Sequence, residues 1–411
     1  MKITTWSLTS SLKRFSTLSS CVLLAGLVST HAWSGDREQA KRIHDRLAGT
    51  HPSEAVLDAM ETELQAGNDM AAANIAMEND AFYNVTLKNF ITPWTNEDQT
   101  VFAPLNDYTA TVIGLIRDED DFRKVLFDDV LYVAEGTGAP AYSMSNNEHY
   151  VYLEDNNVSL KDTLVRRAQS AVTGLPSDAT AGVITSRAAA KSFFIAGTNR
   201  AMFRFTLMNH MCDDLEAFKD TSRVPDRIRQ DVTRSPGGDS RIFLNSCVGC
   251  HSGMDPMAQA FAYYNWDYNF DADPEGDNGQ LVYNREGDTD PVTGTRVQAK
   301  YFNNNSNFKF GFITTNDNWS NYWREGQNAN LGWSESLSGE GSGAKSMGQE
   351  LAYSERFAQC QVKKVFKAVC LRTPGDATDR AQVNSMVESF KSNGYNLKRI
   401  FGESALYCKG N

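Results

Sequence analysis

Cys247-Val248-Gly249-Cys250-His251 is the stretch that most restricts what this chain can become. Two cysteines three apart on one helical turn face the same way, and the next residue adds an imidazole beside them. Residues 225–251, "PDRIRQDVTRSPGGDSRIFLNSCVGCH", read as a short helix, a Pro-Gly-Gly break and a helix carrying the motif. The fold must hold this turn at a surface where something can reach both thiols and the imidazole together.

C-x-x-C-H is the attachment signature of c-type haem. Each thiol makes a thioether with one vinyl group, and His251 offers the iron its proximal nitrogen. Zinc is a poorer match, because it needs a fourth ligand such as a second C-x-x-C or a His pair, and the sequence offers neither. A thioredoxin-like site needs a βαβ setting and no histidine. A plain disulfide between Cys247 and Cys250 leaves His251 unexplained. The motif occurs once, which predicts one haem c, covalently bound, through Cys247, Cys250 and His251.

The start of the chain agrees with that chemistry. Lys2, Lys13 and Arg14 precede the apolar run "CVLLAGLV" (21–28), and small residues follow in "STHAWSG". Residues 1–34 therefore read as an export signal cut after Ala32 or Ser34, with a periplasmic or secreted product. "LSSC" ending at Cys21 resembles a lipoprotein box but lacks an apolar region before it. No later stretch is long and apolar enough for a membrane span. The chain has 40 basic and 51 acidic residues, a net charge of −11, so nucleic acid is excluded as a natural partner. The acidity serves solubility and could also steer a basic redox partner protein. Export places Cys212, Cys360, Cys370 and Cys408 where disulfides form. Cys360 and Cys370 lie ten apart in one apparent helix, about 15 Å by helical rise, so each should pair with Cys212 or Cys408 instead.

Periodicity predicts a mainly α protein: an N-terminal helical region (35–200) and a C-terminal haem c domain (201–411) interrupted by a polar insertion (271–345). Helices are expected over 36–49, 52–67, 70–94 with a break near Asn79–Asp80, and 108–134 with a break near Asp118–Asp121. Residues 135–160 read as loop, and helices return near 160–172, 199–218, 346–371, 376–392 and 395–403. Within the insertion, "GQLVYN" (279–284) and "RVQAKYF" (296–302) read as the strands of a small hairpin.

Other candidates are weaker. Met347, between a Gly-rich loop and a helix, is a candidate sixth ligand, or a core residue at a helix start. Met254 is too close to His251 to reach the opposite face of the ring. Met208, Met211, Cys212 and Leu215 form one apolar helix face. His210 points off that stripe toward a surface or supporting role, and His149 is a distal candidate if the iron is open. "DADPEGDNG" (271–279) imitates a calcium loop, but its twelfth position is Val282, where a bidentate Glu is needed, so it reads as a solvated turn. The aromatic segment 301–333 could line a pocket or simply pack.

"NSCVGCHSGMDPMAQAFAYYNWD" (245–267) resembles the haem segment of the planctomycete-type cytochrome c family. The likeness continues in order through 42–57, 115–133, 181–212 and 347–369. It implies an exported helical haem domain with Cys247, Cys250 and His251 on the haem, and Asp255 and Pro256 shaping a loop beneath the ring. Ala258 replaces the family's glycine, and Asn265-Trp266-Asp267 stands for its Asn-Phe-Asp. The resemblance supplies no substrate. Three functions follow: a monohaem one-electron carrier, a peroxidase- or oxygenase-like haem enzyme with an open iron, or a haem-bearing surface or assembly protein.

Overall fold

The first helix, Asp36–Ala48, buries Ala40, Ile43, His44 and Leu47 along one face and stops at Gly49, whose φ of 70° suits glycine. A computed structural model of the chain describes residues 35–195, 199–227, 239–302 and 312–410. The export signal and Cys21 lie outside the described residues, as does the Pro-Gly-Gly break. The described structure is mainly helical, with three short two-stranded sheets. Among the described residues no helix is long and apolar enough to cross a membrane.

Helices Asp36–Ala48, Glu54–Gln65 and Asp69–Met77 form an N-terminal layer. The last helix, Leu397–Tyr407, packs on the first and third of these and on Glu355–Cys370. At that crossing a Cβ on Gly402 would lie 2.8 Å from the Met70 sulfur, so a larger residue there would have to displace the end of the Met70 side chain. Helix Asp107–Arg117 runs through the centre, with every residue from Asp107 to Ile116 buried. Its Gly114 makes room for the Tyr132 ring, 2.2 Å from where a Cβ would sit. Asp107 caps helix Arg187–Phe194, its carboxylate accepting from Arg187 N (2.6 Å) and Ala188 N (3.0 Å). One apolar cluster draws residues from Ala40 to Ala405, and so from both regions of the chain.

Four expectations are corrected. The helix expected near 160–172 is interrupted, with short helical turns Leu160–Thr163 and Gln169–Thr173 on either side of strand Leu164–Arg167. The second half of 108–134 is not a helix: a 3₁₀ turn, Phe122–Leu126, leads into strand Leu131–Ala134, which pairs antiparallel with Leu164–Arg167. All four residues of that first strand are buried, so the alternation that marks a strand is absent. Residues 135–160 contain a helix, Glu148–Asp155. The predicted hairpin has one correct strand only. Gln280–Tyr283 pairs with Tyr264–Asp267, upstream of the insertion, while Ala299–Phe302 is a helical turn. A third pair, Asn318–Ser320 with Glu340–Ser342, closes the aromatic stretch.

The structural cysteines pair as Cys212–Cys360 and Cys370–Cys408, with Cα separations of 5.3 and 5.6 Å. Cys360 and Cys370 share helix Glu355–Cys370 and do not meet, as helical rise requires.

Candidate functional site

Cys250 and His251 lie in the first turn of helix Val248–Ala258, and Cys247 is the residue just before it. A π-helical turn, Phe243–Cys247, leads in. Such turns re-aim side chains and recur at functional sites. The Met254-Asp255-Pro256 segment, expected as a loop, is helix instead. Pro256 sits inside it, beyond the first turn, where its ring takes away one backbone hydrogen bond. The Ser252 hydroxyl in the preceding turn donates to Asp220 O at 3.1 Å.

The helix is fixed from behind by two glycines one turn apart. A Cβ on Gly249 would lie 2.7 Å from the Lys219 side chain, and one on Gly253 would lie 1.9 Å from Trp323 Nε1. Trp323 is fully buried against Phe203 and Phe218 and holds this face tightly. Asp220 N donates to Gly249 O at 2.9 Å. The motif face is thereby turned outward: Cys247, Cys250 and His251 are all half-buried.

Cys247 and Cys250 are both free thiols, whereas the other four described cysteines are paired. Burial raises the Cys250 thiol above its usual range, so it stays protonated at neutral pH. The His251 side chain is 20% exposed and lies four residues before Asp255, one helical turn away. Its Nδ1 is 3.0 and 3.1 Å from the two Asp255 oxygens. A carboxylate only accepts, so Nδ1 carries the proton and Nε2 is the nitrogen that can ligate a metal. Asp255 is wholly buried and also takes a two-pronged contact from Arg200, Nε at 2.8 Å and Nη2 at 3.0 Å. Arg200 opens helix Arg200–His210, which packs directly on the motif helix.

These residues fit a covalently held haem. The thiols are unpaired, the imidazole presents one nitrogen, and apolar Ile242 and Leu244 stand 48% and 52% exposed just upstream. Among the described residues no three of His, Cys, Asp or Glu converge on a metal position.

The remaining candidates fall elsewhere. Met347 lies inside helix Gly343–Ala352, fully buried in the common core, and that helix packs on Phe122–Leu126 and Gln259–Phe261. Met254 is buried in the motif helix itself. His149 uses both ring nitrogens: Nε2 accepts from Ala134 N (3.0 Å) and Nδ1 meets Pro140 O (2.7 Å). It is a structural histidine, not a distal group. His210 is not at the surface. It is completely buried, 2.8 Å from the Tyr108 hydroxyl, and burial keeps its pKa well below the usual value, hence neutral. In the acidic turn, Asp273 accepts from Asp277 N (3.0 Å) and Asn278 N (2.7 Å), so this carboxylate serves the backbone.

Arg200 and the contact made by Asp255 were not foreseen from sequence. The four-residue spacing from His251 to Asp255 was a usable signal once the segment is known to be helical. Arg200 lies far upstream and carried no local mark. No family model, curated protein or solved structure matches the chain.

Proposed function

We propose that this chain is an exported monohaem c-type cytochrome that passes single electrons to a partner protein, related to the planctomycete-type cytochromes c by its 245–267 segment. The observation that carries the reading is the pair of unpaired thiols, Cys247 and Cys250, beside an imidazole whose Nδ1 is already held. When bound, the haem supplies a one-electron iron couple. The chain's part is to anchor and orient. Cys247 and Cys250 would fix two points of the ring, and Asp255 holds Nδ1 of His251 and so leaves Nε2 as the nitrogen for the iron. Trp323, packed against Gly253, keeps the helix from sliding inward. The two disulfides are compatible with export.

The test is expression through a c-type maturation system followed by denaturation in acid and organic solvent. Haem is expected to stay with the polypeptide, and the double variant Cys247→Ser/Cys250→Ser is expected to carry none. Retention by the double variant, or loss from the unaltered chain, overturns the assignment. A high-spin oxidised spectrum with rapid reaction toward peroxide would move the function from carrier to enzyme.

A further inference from the structure

We propose that Asp255, clamped by Arg200, is the positioning residue that makes His251 an unusually strong donor and gives the site a low reduction potential. The inference rests on the haem reading above.

The geometry separates this contact from an ordinary structural ion pair. Both Asp255 oxygens lie within 3.1 Å of one imidazole nitrogen, and the carboxylate is fully shielded from water. It sits inside the motif helix, one turn beyond the imidazole. Buried ion pairs contribute little net stability against apolar replacements, so stability alone does not explain one placed here. A carboxylate behind a ligating histidine does have a defined effect. It accepts the Nδ1 proton, fixes the ring, and shifts electron density toward Nε2. A stronger donor and a nearby negative charge both favour the more positive, ferric iron over the ferrous. Arg200 orients the carboxylate through its fork and offsets part of its charge. The two residues therefore push the iron in opposite senses, and that opposition can be measured.

The experiment is spectroelectrochemical titration of the purified holoprotein, with covalent haem verified first. Asp255→Asn is expected to shift the ferric–ferrous equilibrium toward ferrous by about tenfold, taking as the scale the ~10-fold that loss of an outer-shell partner costs a metal site in affinity or activity. That corresponds to ~59 mV upward per factor of ten for one electron. Arg200→Gln is expected to shift it the other way, toward ferric. A purely structural role, acting by loosening the site, would move both variants in the same direction and overturns the proposal, as does an unchanged potential in both. If Asp255→Asn fails to keep its haem, the sign of the Arg200→Gln shift decides alone: downward supports the proposal, upward or zero overturns it. Absence of covalent haem in the unaltered protein sinks the haem reading and this proposal with it. Intact haem with potentials that do not respond sinks this proposal only.

Discussion

Asp317 is a half-buried carboxylate near Arg296 and Asp178, and burial is the largest influence on it, raising its pKa to about 6. The folded-state value lies above the usual unfolded value near ~3.9, so the folded chain holds a proton there that the unfolded chain has lost. This contribution to stability is therefore full below ~3.9 and disappears as pH rises through about 6. Asp317→Asn should stabilise the protein at pH 7.5 by about 1 kcal/mol once solvent screening is allowed for, with the gain shrinking toward pH 4.5. Urea denaturation at both pH values checks it, and a gain independent of pH would refute the burial argument. Residues of this kind are illegible in sequence, because their chemistry is set by neighbours far along the chain. Cys247, Cys250 and His251 are legible because covalent attachment dictates both residue type and spacing. Asp255 falls between the two. The resemblance singles it out but implies a loop at Asp255 and Pro256, and only the helix brings the carboxylate one turn from the imidazole.

At the scale of elements, the helices were read well where they are amphipathic and capped. Ser53 caps Glu54–Gln65 and Ser354 caps Glu355–Cys370, each accepting a backbone N–H of the first turn. The short strands failed for a physical reason. Leu131–Ala134 is buried on both faces, and Gln280–Tyr283 finds its partner back across an acidic turn rather than in the next apolar run. Strand pairing is a tertiary fact, whereas helix hydrogen bonds are local. The disulfides join elements that no local pattern connects. Cys212–Cys360 ties the turn just after helix Arg200–His210 to helix Glu355–Cys370 across 148 residues, while Cys370–Cys408 spans 38. In the chain-entropy picture the longer loop restricts the unfolded state more, by roughly 1 kcal/mol. Unreduced peptide maps should show these two links. Cys212→Ala/Cys360→Ala should lose about 4–5 kcal/mol, slightly more than Cys370→Ala/Cys408→Ala, in denaturant titrations. A Cys360–Cys370 peptide would contradict the helix that separates them.

At the scale of the whole molecule, the two halves expected from sequence share one interior. Phe401 of the last helix meets Phe82 and Phe90 edge-on, with ring centroids 5.4 and 5.3 Å apart. Arg46 donates to Val369 O at 2.8 Å, and Lys409 pairs with Asp69 at 2.8 Å. A chain whose last helix completes the packing of its first has no place to be cut near residue 200. Each large buried ring is worth about 1.5–3 kcal/mol of apolar transfer, and net stabilities are only about 5–15 kcal/mol. Removing the C-terminal cover from Phe82, Phe90 and the Ala72–Ala73 face therefore takes away most of the margin. Residues 35–200 expressed alone should show no cooperative thermal transition by circular dichroism. The intact chain should melt once, with the same midpoint whether followed by far-ultraviolet signal or by a probe at the motif helix. That helix is coupled to the same core through Arg200–His210 on one side and Trp323 on the other. A fragment 35–200 that melts cooperatively, or two separated transitions in the intact chain, would show that the shared core does not act as one unit.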